Sequence, residues 1–157
     1  MNTKTWHHGR PAAFWVFLII FLISVLLLVS GQTMAVLDYE LAVALGMQED
    51  VREISEFGVA VNRGFGVGDT LIYIPLIVLS IVGLILRKRW ALITSAAVMG
   101  ISAYWTATSA FLFWFLEGVP NYIFDPGVEY WWIMGFYFLF GLWGLWYLAF
   151  RGERLIH

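Results

Sequence analysis

Five carboxylates and one guanidinium are the groups in this sequence best placed to do chemistry. Asp38 and Glu40 follow the first apolar run, Asp69 precedes the second, Glu117 follows the third and Glu129 precedes the fourth. If the runs are antiparallel helices, these acids fall at one end, where a carboxylate ring can attract a cation by electrostatic focusing. A carboxylate held at membrane depth is costly unless paired or protonated, and such acids commonly serve ion or proton traffic. Each also has a structural role open to it. Asp69 and Glu129 stand where an N-cap belongs and where the helix dipole favours negative charge, whereas Asp38, Glu40 and Glu117 can simply reach water. Arg63, six residues before Asp69, is the expected counter-charge, a lock that a ligand carboxylate or phosphate could contest.

The third apolar run is unusually polar. Ser95, Ser102 and Ser109 repeat every seven residues with Tyr104 and Thr106 nearby, and Gly100, Ala103, Ala107 and Ala110 supply small side chains. Ser102, Tyr104 and Thr106 are therefore candidates for the lining of a polar seam leading inward from Glu117. The same pattern also suits a tightly packed central helix, because small residues admit close approach and hydroxyls bond across helices. No Asp, Glu, Lys or His continues the seam inward, which favours a cavity closed on the inner side over a channel.

The stretch Gly64-Phe65-Gly66-Val67-Gly68-Asp69 is GxGxG, not the GxGxxG of a dinucleotide cradle, and no strand precedes it. Gly66-Val67-Gly68-Asp69 resembles the end of a potassium-channel filter, but the Thr-Val-Gly that opens such a filter is missing and Asn62-Arg63 stands in its approach. The remaining reading is a glycine hinge that lets backbone pass closely under a neighbouring helix, ending in Asp69 as the cap of a span.

The elements that must position these groups follow from composition. With 61% hydrophobic and 13% charged residues, the 157-residue chain carries more apolar surface than one small water-soluble core can hide, so an integral membrane protein is expected. Cysteine is absent, which excludes disulfides and thiolate sites. A span needs roughly 20 apolar residues, and four segments qualify: 12–31, 70–86, 90–116 and 130–150. The fold expected is an all-α four-transmembrane-helix bundle forming one membrane domain, with outer loops 32–69 and 117–129. The first apolar run is longer than the roughly 7–15 residues of a signal core, so it is read as a true span.

Lys4, Arg10, Arg87, Lys88, Arg89, Arg151 and Arg154 fall on one side, and only Arg52 and Arg63 on the other. By the positive-inside rule both termini are cytoplasmic, and the plasma (inner) membrane is the expected location. Ten of the eleven acids sort to the outer side, against those two basic residues. Within loop 32–69, the stretch 34–46 is apolar apart from Asp38 and Glu40 and could extend the first helix outward or lie in the interface, and Asp50 and Glu53 have capping-box spacing. Val51, Ile54, Phe57, Gly58 and Val61 then mark one face of a short amphipathic helix resting on the bundle. Gly141 and Gly144 predict a close-contact face on the fourth span. Trp6, Trp15, Trp90, Trp131, Trp132, Trp143, Trp146 and Tyr147 suit an aromatic belt. His7, His8 and His157 lack metal-site spacing and read as solvated tails.

Four spans with a long first outer loop resemble the layout of claudin-like proteins. That family relies on a cysteine-stapled loop, and this chain has no cysteine, so the resemblance ends at the layout. No GxSxG, HExxH or Walker sequence occurs, and neither a metal nor a cofactor is expected. Three functions stay open. The first is non-enzymatic binding of a ligand, lipid or partner in an acidic outer vestibule. The second is an oligomeric cation- or proton-coupled carrier using the outer-end carboxylates. The third is a lipid-modifying enzyme pairing Asp69 with Glu117. Expected partners are membrane lipids and a second copy or another membrane protein, and no nucleic acid.

Overall fold

The structure, a computed structural model, describes residues 9–120 and 122–157. Lys4, Trp6, His7 and His8, used above for topology, aromatic belt and tails, lie outside the described residues. Among the described residues every regular element is helical: α1 Ala12–Leu37, α2 Tyr39–Ala44, α3 Val51–Ile85, α4 Trp90–Leu116, α5 Val128–Arg151 and α6 Glu153–Ile156. Four of them, α1, α3, α4 and α5, are long and apolar enough to cross a membrane.

Helices α1 and α3 are longer than the apolar runs that announced them. The expected loop 32–69 is mostly helix. α1 continues through a π-helical turn at Val29–Thr33 to Leu37, and α3 begins at Val51. Asp69 is consequently not an N-cap; it opens a second π turn, Asp69–Tyr73, in the middle of a 35-residue helix. The glycine run before it is not a hinge, since Gly68 sits at φ −59° and ψ −45°. The expected surface helix is instead the first part of α3. Its capping box is present, with Asp50 accepting from the helix start and Glu53 reaching back to the Asp50 N–H. A left-handed Ser55 (φ 63°) kinks it one turn later. Ile54 is buried as expected, but Phe57 is exposed.

Each long helix buries a stripe at three- and four-residue spacing and leaves the rest apolar and exposed. On α1 the stripe is Phe14, Phe17, Phe21 and Ser24; on α4 it is Ala91, Ser95, Val98, Met99, Ser102 and Thr106. Outward faces carry Leu26, Leu71, Ile93, Phe115, Trp132 and Leu139. Such a surface is far more apolar than water tolerates and is what a bilayer requires.

α4 packs against α5 and against the second half of α3, and α1 packs against α3. α1 closes the bundle onto α5 where Phe17 meets Phe140, Trp143 and Tyr147 at ring-centroid distances of 5.3–6.1 Å. One hydroxyl contact ties each neighbouring pair: Thr33 Oγ1 with Thr70 Oγ1 (3.0 Å), Ser80 Oγ to Thr94 Oγ1 (3.0 Å), Ser102 Oγ to the Tyr137 carbonyl (3.1 Å), and Tyr137 OH with Ser24 Oγ (3.0 Å). Interhelical hydrogen bonds in an apolar medium contribute about 0.6 kcal/mol on average, so the ring fixes register as much as it adds stability. α4 and α5 approach closely at Gly141, where a Cβ would stand 2.8 Å from the Met99 carbonyl oxygen and from the Ala103 nitrogen.

The two described ends and the α3–α4 turn lie at one end of the bundle, here the basic end. Arg10 Nη1 donates to the Leu84 carbonyl (2.9 Å) and Nη2 to that of Ile85 (2.8 Å), satisfying carbonyls that a helix C-terminus leaves open. Its guanidinium stacks on Phe14 at 4.1 Å, and burial followed by nearby Arg87 holds its pKa below the usual arginine value. Arg89 faces Glu153 at 3.6 Å, and Leu155 and Ile156 of α6 tuck in beneath.

Candidate functional site

The opposite, acidic end is built in three tiers. The outermost is a polar cap. Asp38 (φ −152°) breaks the chain out of α1 and caps α2, accepting from the Leu41 N–H at 3.0 Å. Gly46 at φ 69° closes α2, with Met47 N–H reaching back to the Ala42 carbonyl. Asn62 on α3 then donates to Glu49 Oε2 (2.8 Å) and Gln48 Oε1 (3.0 Å), and Tyr130 on α5 donates to Glu49 Oε1 (3.2 Å). Ile123 N–H binds the Glu53 carbonyl (2.9 Å), so the α4–α5 connection is stitched to the start of α3. The bidentate Arg52 side chain and then the Arg52 N–H hold the Asp50 carboxyl down at about 2.

The second tier is an open groove of about 560 Å³ beside the α4–α5 connection. Glu117 and Asp125 stand in it among Trp114, Tyr122, Phe124 and Trp131. α4 ends here because Glu117 turns extended (ψ 122°) and Gly118 is left-handed (φ 78°). Phe124 packs edge-on to Tyr130 at 5.4 Å and beside Phe113 at 5.8 Å, which fixes the groove wall. Burial, and after it the Glu49 charge, push the Tyr122 phenol up to about 12, so it faces the groove as a neutral donor at neutral pH.

The third tier lies inside the bundle. Asp69 is 7% exposed, and its Oδ2 has no hydrogen-bond partner. The Gln32 Oε1 is also buried and unpartnered. These residues adjoin Thr70 and Thr33, whose hydroxyls join α3 to α1. Tyr73, one turn beyond Asp69, is half-buried with Ser102, Asp69 and Tyr137 as its polar neighbours. Towards the basic end this tier is sealed by the core of Phe17, Phe21, Ile77, Met99 and Phe140.

The carboxylate ring expected from the sequence does not form. Asp38, Glu40, Glu117 and Glu129 are all exposed, and Asp69 alone turns inward. Glu129 occupies the first turn of α5, where the dipole favours it. Arg63 does not lock Asp69; its Nη2 donates to the Val36 carbonyl at 3.1 Å, near the C-terminus of α1. Ser102 and Thr106 are buried, but Ser102 is spent on the Tyr137 carbonyl and Thr106 bonds back to Ser102 O at 2.8 Å. Tyr104 is 71% exposed on the outer face of α4 and lines nothing inside. Asp69 and Glu117 sit in different tiers, so the paired-acid chemistry lacks its pair.

Gln32, Glu49, Asn62, Tyr73 and Tyr137 are site-forming residues that sequence reasoning passed over, and Asp125 was weighed only as one of the ten outer acids. Gln32 and Asn62 carried a signal, being amides beside apolar runs whose helical phase continues through them. Among the described residues no three His or acidic side chains gather in one cluster. No family model, no curated protein and no solved structure matches the chain.

Proposed function

We propose that the chain is a small, non-enzymatic integral membrane protein, both termini cytoplasmic, whose acidic end binds an ammonium-headed ligand. The observation that carries this reading is the groove in which Glu117 and Asp125 stand among Trp114, Phe124 and Trp131. Carboxylates supply charge, and aromatic faces attract a cation through their quadrupole, an attraction that grows as water is excluded. Glu117 follows the last turn of a helix apolar enough to span a membrane, which suits contact with lipid headgroups.

An ammonium group can come from a lipid headgroup or from a free amine. Native mass spectrometry of the detergent-purified chain with phosphatidylcholine, phosphatidylethanolamine and phosphatidylglycerol, alongside titration with soluble choline, separates the two. Lipid recognition predicts retention of the ammonium-headed lipids over phosphatidylglycerol, weakened about tenfold in E117Q/D125N. Choline binding alone assigns the groove to a free amine. Equal retention of all three lipids with no choline binding rejects the reading.

One observation favours a carrier as the second reading: Asp69 is a buried carboxylate inside the bundle. That reading requires cation-driven flux in reconstituted vesicles, lost in D69N.

A further inference from the structure

We propose that the inner tier is a binding site for a single monovalent metal cation of sodium size, with Asp69 as its charged ligand. Two acceptor oxygens there lack any donor, Asp69 Oδ2 and Gln32 Oε1. Both are carried by residues next to the Thr33–Thr70 hydroxyl pair. α1 and α3 each widen into a π turn at this level, Val29–Thr33 against Asp69–Tyr73, and the two turns touch. π turns are uncommon and cluster where a helix makes room for function. Their pairing here brings a carboxylate, a carboxamide oxygen and two hydroxyl oxygens to one level of the α1–α3 interface. All are hard oxygen donors of the kind that alkali cations prefer.

Charge balance selects the valence. An unpaired ionised carboxylate in an apolar interior costs several kcal/mol. The nearest arginine, Arg63, is turned away to the Val36 carbonyl. No charged side chain pairs with Asp69 among the described residues, and the polar groups at its level are neutral: Gln32 and the Thr33–Thr70 hydroxyl pair at the α1–α3 interface, and Tyr73 one turn on, which itself neighbours Ser102 and Tyr137. One negative charge among neutral oxygens matches one positive charge. A divalent ion would call for several carboxylates and six or more oxygens. The aromatic core closes the basic side, so the ion enters from the acidic end. This site is separate from the groove and does not depend on the groove taking a ligand.

Thermal unfolding of the purified full chain in sodium, lithium, potassium and choline chlorides at equal ionic strength tests the site. At about 100 times its Kd, a bound ion raises Tm by about 5–10 °C for a chain of this size. Sodium is expected to give that rise over choline, D69N to abolish it, and E117Q/D125N to leave it intact. A sodium rise that survives in D69N overturns the proposal, because the ion then sits elsewhere. A chain indifferent to every alkali ion, yet stabilised by acid in a manner that D69N removes, also overturns it and makes a proton the occupant. Should D69N fail to fold, T33V with Asp69 intact must shrink the sodium rise, and an unchanged rise rejects the site.

Discussion

Arg63 and Asp69 illustrate what helical phase does to a pair of charges. Six residues on an α-helix advance about 600°, which leaves the two side chains some 120° apart around the axis rather than stacked as an i, i+4 pair would be. In a loop the two could meet, whereas on a continuous α3 one faces out when the other faces in. Arg63 accordingly serves the carbonyl end of α1, where a cation complements the dipole, and Asp69 enters the bundle. A double-mutant cycle checks this separation. R63A and D69N are expected to change unfolding free energy additively, to within about 0.3–0.5 kcal/mol. A coupling energy above about 1 kcal/mol would restore the ion-pair lock. Asp69 was conspicuous in the sequence as a charge beside an apolar run. Its direction was not, because that depends on the phase of a segment whose glycines and amides look like loop.

At the scale of elements, the three glycines of Gly64-Phe65-Gly66-Val67-Gly68 separate into two kinds. A Cβ on Gly66 would stand 2.6 Å from the Gln32 carbonyl oxygen and 2.9 Å from Val36 Cγ2, whereas Gly64 and Gly68 face open space. Gly66 is thus a packing residue that lets α3 lie close against α1, and its neighbours carry only the helix penalty of glycine. G66A is expected to destabilise by about 1–3 kcal/mol through overpacking, and G64A and G68A to stabilise by about 0.5–1 kcal/mol each. Unfolding in mixed micelles measures all three, and a hinge would reverse the signs for Gly64 and Gly68. The four long helices were legible as apolar runs, and so was the Asp50–Glu53 capping box, because both signals are local. The extension of α1 past Gly31 was one of two readings open for the apolar stretch 34–46, and the structure selects it as far as Leu37; the run of α3 back to Val51 was not legible. Thr33, Asn62 and Arg63 are tolerated in helix there because each finds a partner across the α1–α3 interface or in the cap above it. The groove was half legible. Glu117 stood out as a charge at a run end, but Asp125 acquires its setting only when Phe124 and Trp131 fold around it.

For the whole molecule, charge and connectivity agree on a polarity. Arg10 bridges the chain start to the end of α3, Arg89 faces Glu153, and Arg87 Nη1 reaches the His157 carbonyl at 3.2 Å. Both described ends and the Arg87-Lys88-Arg89 turn therefore share one face, and Glu40 belongs to the other. The orientation proposed above, from positive-inside sorting, puts the basic face in the cytoplasm. On that proposal the core of Phe17, Phe21 and Phe140 lies between the cytoplasm and both the groove and the inner tier, and a ligand is expected from outside. The absence of cysteine makes this directly measurable, since single thiols can be introduced without background. In intact cells a membrane-impermeant maleimide is expected to label exposed E40C, and to label K88C only after permeabilisation. Labelling of K88C alone would invert the bundle and hand the groove to the cytoplasm. Labelling of both in intact cells would mean two orientations coexist, and neither tier would then have a fixed side from which to be filled.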